Sequence, residues 1–232
     1  MFTRLLDLLI LGGPVVWILA GFSLAALTIA LLKAWQLWQL KSATTIPRAL
    51  EHLAQGSRAQ ALLLLGDQQN PRALLIKETI HLFESAKLSV EDTKAEAMRL
   101  ARLIVAQLSS HLRALEVIAN LAPLLGLFGT VLGMIGAFQA MEAAGEQVNP
   151  AVLSGGIWMA LLTTAVGLAV AIPASLAHNW FERRVELQAQ ALQDDLEHLF
   201  TIEAGLKASG GHKTKVKDTT QDMAAKAQPE IA

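Results

Sequence analysis

Two segments of this chain, Val117–Met141 and Val148–Ala177, contain no Asp, Glu, His, Lys or Arg. Only a short acidic link with Glu142 and Glu146 separates them. A helix of about 20 apolar residues, rising 1.5 Å per residue, crosses the hydrocarbon core of a bilayer. Each segment therefore predicts a transmembrane helix. A third uncharged run, Leu8–Leu32, ends before Lys33, Trp35, Trp38 and Lys41 and predicts a first span. Gly12-Gly13-Pro14 stands at its entry, where proline's missing N–H would have had no partner anyway. A secretory signal peptide is the rival reading of this run. The run is longer than the h-region of about 7–15 residues, and its basic residues mostly follow it.

Composition agrees with a membrane protein. Apolar residues make up 53% of the 232 and charged ones 17%, where about a quarter is usual in a soluble domain. A net charge of −1 points to neither nucleic acid nor an acidic substrate. With no cysteine, disulfides and thiolate metal sites are excluded. Trp35, Trp38 and Trp180 flank apolar runs, where amphipathic rings suit the headgroup layer.

Residues 42–111 are mixed in charge, with apolar positions at helical spacing in Ala49–Leu65 and Ala73–Leu88. Gly66-Asp67 and Asn70-Pro71 separate those two segments. Ser89-Val90-Glu91-Asp92 has the form of a capping box. No helix breaker follows, so one continuous helix is expected from about Val90 to about Ala140, about 75 Å long at 1.5 Å per residue. Beyond the third span, Leu187, Ala191, Leu192, Leu196 and Leu199 keep helical spacing to about Ile202. The stretch from Ala204 reads as a disordered tail, from its Gly, Lys, Thr, Gln and Ala content. Lys207, Lys213, Lys215 and Lys217 are read as solvated there, with contact to anionic lipid the alternative.

The predicted fold class is an all-α membrane protein with three transmembrane helices, helices 2 and 3 extending into a helical cytoplasmic domain. Spans are placed at 14–33, 117–140 and 151–178. Residues 33–116 hold eleven Lys/Arg and the C-terminal part seven, while the 142–147 link holds none. By the positive-inside rule, segments 1–13 and 141–150 face outward. Segments 34–116, 179–203 and 204–232 face the cytoplasm.

Small residues line both later spans. In the second, Gly126, Gly129, Gly133, Gly136 and Ala137 recur every three or four residues, with Thr130 beside them. In the third, Gly156, Ala160, Thr163, Thr164, Gly167, Ala171 and Ala174 do the same. Gly126, Gly129, Gly133, Gly156, Ala160 and Gly167 are read as helix-packing positions that let backbones approach closely. The threonines have two readings. Each hydroxyl either bonds the carbonyl three or four residues back, or helps line a wet path. Moving a proton through a bilayer centre normally uses an ionisable side chain, and neither segment has one. If the chain moves protons, the titrating group comes from another chain, and Thr130 and Thr164 would position it or a water. His178 reads as an interfacial residue, and Pro173 as a site where the third helix can kink. No P-loop, HExxH, GxGxxG or Gly-x-Ser-x-Gly motif occurs, so neither an enzyme, a cofactor nor a metal site is expected.

LAPLLGLFGTVLG at Leu121–Gly133 and GGIWMALLTTAVGLAVAIP at Gly155–Pro173 closely resemble the two membrane motifs of the MotA/TolQ/ExbB proton-channel family. The order of parts agrees as well. Within the family the likeness is greatest to the ExbB branch and next to TolQ. MotA, with four membrane helices, is more distant. The resemblance implies a homo-oligomeric ring, five copies around a dimer of an ExbD/TolR-like subunit. That partner's single membrane helix would supply the titrating aspartate. Proton-motive force would then drive a TonB- or TolA-like protein from the bacterial inner membrane. The family's pore-facing threonines fall on Thr130 and Thr164. At the position where many members carry a glutamate, this chain holds Met159, which cannot titrate. A TolQ-type role in envelope maintenance and a non-conducting membrane scaffold stand as the alternatives. A small-molecule transporter lacks support, because repeated, broken helices are missing.

Overall fold

The computed structural model describes residues 13–39, 45–66, 70–85, 88–144 and 150–226. Leu8, Gly12, Lys41, Asp67, Glu146 and Val148, named above, lie outside them, as do residues 227–232. Among the described residues there are helices and no strand: α1 (Gly13–Gln39), α2 (Thr45–Ala54), α3 (Arg58–Leu65), α4 (Pro71–Ser85), α5 (Val90–Ser109), α6 (Leu112–Ala144) and α7 (Pro150–Lys226). Three stretches, Gly13–Trp38, Val90–Ala143 and Leu153–Ala208, hold windows long and apolar enough to cross a membrane. The chain is an all-α membrane protein. It forms two compact units, one from residues up to Trp38 and Leu108–Glu186, the other from Gln39–Gln107 and Leu187 onward.

In the first unit, α1, α6 and the apolar half of α7 pack together. Gly13 takes φ 65°, a left-handed turn that glycine adopts freely, and Pro14 follows as the helix starts. Val15 and Leu19 of α1 meet Ala122 of α6 and Ala171 of α7, with Phe22, Leu125, Val166 and Val170 around them. Outward, α1 presents Leu24, Leu27, Leu31, Trp35 and Trp38, all more than half exposed. A helix apolar on every side, with large residues left uncovered, fits lipid better than water. Pro123 lies inside α6 and Pro173 inside α7, and the helices run through both. Each proline forgoes one backbone bond to the residue four back.

The second unit has its own core. Ile46, Leu50 and Leu53 of α2, Leu65 of α3 and Ile76 and Ile80 of α4 surround Leu199 of α7. A neighbouring cluster joins Leu75, Ala97 and Ala101 to Leu192 and Leu196. Two ion pairs tie α7 to the shorter helices. Arg72 grips Asp195 through Nε and Nη2 at 2.8 and 3.0 Å. Arg58 Nη2 donates to both oxygens of Glu203. At the start of α5, Ser89 Oγ accepts from the Asp92 amide at 3.1 Å, the serine half of the expected box, and donates to the Asp92 carboxylate at 2.7 Å.

Three sequence expectations change. The Ala49–Leu65 segment is two helices, because the turn at Gly56 has φ 80°, which glycine accepts without strain. The single helix expected from Val90 to Ala140 is broken between α5 and α6, where His111 has φ 66°. Lys33, 75 and 77 residues away in sequence, donates to Leu108 and Ser110 beside the break. The stretch read as disordered from Ala204 continues α7 to Lys226. Extending a running helix is much easier than starting one, and its Lys, Ala, Gln and Met residues suit helix well.

Candidate functional site: the seam between α6 and α7

The closest approach of α6 and α7 is built on glycine. A Cβ at Gly126 would lie 3.0 Å from the Thr163 carbonyl oxygen and 3.1 Å from Thr164 Cα. At Gly167 it would lie 2.7 Å from the Ala122 carbonyl oxygen, and at Gly129 2.7 Å from Thr163 Cβ. Gly133 faces Ala160 at 3.1 Å, and Gly156 stands directly against Ala137. Ala160, Ala171 and Ala174 are buried along the same line. Gly126, Gly129, Gly133, Gly156, Ala160 and Gly167 thus share one seam. Gly136 does not, since a Cβ there would meet open space.

Such closeness brings hydroxyls of α7 onto the backbone of α6. Thr163 Oγ1 lies 3.2 Å from the Gly126 carbonyl oxygen and 2.7 Å from that of Ala160. Thr164 Oγ1 donates to the same Gly126 oxygen at 3.3 Å. In regular α-helix the amide of Thr130 also ends on Gly126. A carbonyl has two lone pairs and a hydroxyl one proton. Three donors therefore crowd one acceptor. Thr163, at the shorter distance, is better served by Ala160, and the weak 3.3 Å bond of Thr164 is the one most readily exchanged for a water or another chain's polar group.

Of the two threonines singled out from sequence, Thr164 is half-buried at this acceptor. Thr130 is half-buried and donates to Leu127 within its own helix at 2.6 Å. Thr163 is the fully buried hydroxyl, 3% exposed, and sequence reasoning passed it over as a site. The signal was available: Gly156, Ala160, Thr163, Gly167, Ala171 and Ala174 follow one another at steps of three or four, which puts Thr163 on the seam and Thr164 at its edge. Met159 lies off the seam with its neighbour Trp158, both exposed. His178 ends this stretch of α7, its Nδ1 buried without a hydrogen-bond partner and its Nε2 3.7 Å from Glu182 Oε2. Beside it Arg184 stacks over the Trp180 ring at 5.1 Å. No group of three or more His, Cys, Asp or Glu that could hold a metal occurs among the described residues.

The fold and the seam define a membrane protein whose second and third spans carry hydroxyls and a shared carbonyl but, over residues 117–141 and 148–177, no acid or base. A sequence model of the MotA/TolQ/ExbB proton channel family matches residues 67–194, more than half of the chain. The chain belongs to that family. It is similar to a putative biopolymer transport protein ExbB homolog of Methanothermobacter thermautotrophicus, 29% identical over 80% of this chain and 65% of the relative. It is also similar to the biopolymer transport protein ExbB of Pseudomonas putida, 31% identical over 81% of this chain and 61% of the relative. The match therefore spans less than two thirds of those relatives' own length. The Tol-Pal system protein TolQ of Haemophilus influenzae is 37% identical over 39% of this chain.

Proposed function

We propose that this chain is the ring-forming, ExbB-like subunit of a proton-motive-force-driven motor in a bacterial inner membrane. In this reading five copies enclose a dimer of a single-span, ExbD-like subunit. The N-terminus faces the periplasm and the C-terminus the cytoplasm. A TonB-like protein carries the work to outer-membrane transport. The observation that carries the reading is the pairing of Thr163 and Thr164 with one backbone carbonyl, between stretches 117–141 and 148–177 that hold no titrating side chain. The proton is then held by a carboxylate of the partner. Thr164 supplies a hydroxyl that orients that carboxylate or a water beside it, and Thr130 lies one helix turn from Gly126. Met159 contributes no charge, so any proton step rests on the partner's acid alone. Family membership and the ExbB names of the relatives support the same reading. The TolQ relative supports a Tol-Pal role in envelope maintenance as the second reading.

Thr164→Val nearly preserves shape and removes the hydroxyl. Losing one hydrogen bond of about 1–1.5 kcal/mol lowers transduction about tenfold, with the oligomer intact on native gels. Full activity in the variant would remove Thr164 from the proton path, and a scaffold role would then account for the chain better.

A further inference from the structure

The break between α5 and α6 lacks the usual helix breakers. Residues 105–118, VAQLSSHLRALEVI, contain neither glycine nor proline. Yet His111 sits at φ 66°, a left-handed conformation that costs free energy for any residue with a Cβ. A side chain from another helix reaches this break. Lys33, the only charged residue of α1, is 3% exposed. Its Nζ donates to the Leu108 carbonyl at 2.9 Å, to Ser110 Oγ at 3.3 Å and to Gln36 Oε1 at 2.9 Å. Leu108 lies in the last turn of α5, where carbonyls need partners from outside the helix and the dipole favours a cation. Ser110 Oγ in turn lies 3.2 Å from His111 Nδ1. One buried ammonium thus grips the backbone just before the strained residue and the side chain next to it.

We propose that Lys33 is a latch on a two-state joint. With its ammonium seated on Leu108 and Ser110, the chain is broken at His111. With the ammonium withdrawn, Ser110 and His111 become helical, and α5 and α6 join into one continuous helix. Two features make the second state accessible: a segment free of glycine and proline, and a strained φ that is relieved on joining. This inference goes beyond the motor reading and stands whether or not the chain drives transport.

The test is the φ angle of His111, measured by solid-state NMR torsion-angle spectroscopy on the full chain in lipid bilayers with isotope-labelled histidine. The wild type and Lys33→Arg are expected near the positive value of the latched state. Lys33→Met removes the charge while keeping an unbranched apolar side chain, and is expected to move φ to the helical value of about −63°. Ser110→Ala removes one acceptor without uncovering a buried charge and is expected to show both states. It decides the matter if Lys33→Met does not fold. A helical φ in the wild type would overturn the proposal. So would a positive φ retained in Ser110→Ala and in any Lys33→Met chain that folds.

Discussion

Glycine at the seam is a matter of tenths of an ångström. A methyl group at Gly129 or Gly167 would come within 2.7 Å of atoms on the other helix, whereas one at Gly136 would meet nothing. Gly129→Ala and Gly167→Ala should each destabilise α6–α7 packing by about 1–3 kcal/mol through overpacking. Gly136→Ala should be neutral or slightly stabilising. Thermal unfolding of the three variants in detergent would check the contrast, and equal midpoints would contradict the seam. Most of this line was legible in sequence, because small residues at steps of three and four mark one helix face. The distinction between Gly136 and its neighbours was not legible, since both fit the spacing and only the facing helix separates them. Thr163 was overlooked for a related reason. Sequence shows that a hydroxyl is present, but not that the Gly126 carbonyl stands opposite it.

The helices were read well where burial or lipid shapes the composition. The apolar runs of α1, α6 and α7 were evident, as was the cap formed by Ser89 and Asp92. What escaped was set by distant partners. Arg72 and Asp195 are 123 residues apart, and Arg58 and Glu203 are 145 apart. No periodicity records such pairings, and the Lys33 contacts at the α5–α6 break are of the same kind. The Asp195 residue is 7% exposed, so removing its partner leaves a poorly hydrated carboxylate. Arg72→Met should therefore cost about 2–4 kcal/mol of stability in the unit that holds α2–α4, less than for a wholly buried pair because Arg72 keeps some solvent. Pairing it with Asp195→Leu should recover much of that loss. Denaturant unfolding of the single and double variants would measure the coupling, and strictly additive losses would contradict it.

The chain as a whole divides its tasks. One unit carries the spanning helices and the α6–α7 seam; the other is a helical core tied to α7 by buried ion pairs. The second and third spans provide close-packed backbones, hydroxyls and a shared carbonyl acceptor, while residues 117–141 and 148–177 contain no titrating group. This gap is why a second protein is central to the account, and family membership points the same way. The measurement that bears on it most directly is the intact mass of the complex purified from native membranes, with its components identified. The account expects several copies of this chain together with a small protein of one membrane helix that carries an intramembrane carboxylate. A stable homo-oligomer that repeatedly lacks such a partner would contradict it, because residues 117–141 and 148–177 have no group of their own to carry the proton.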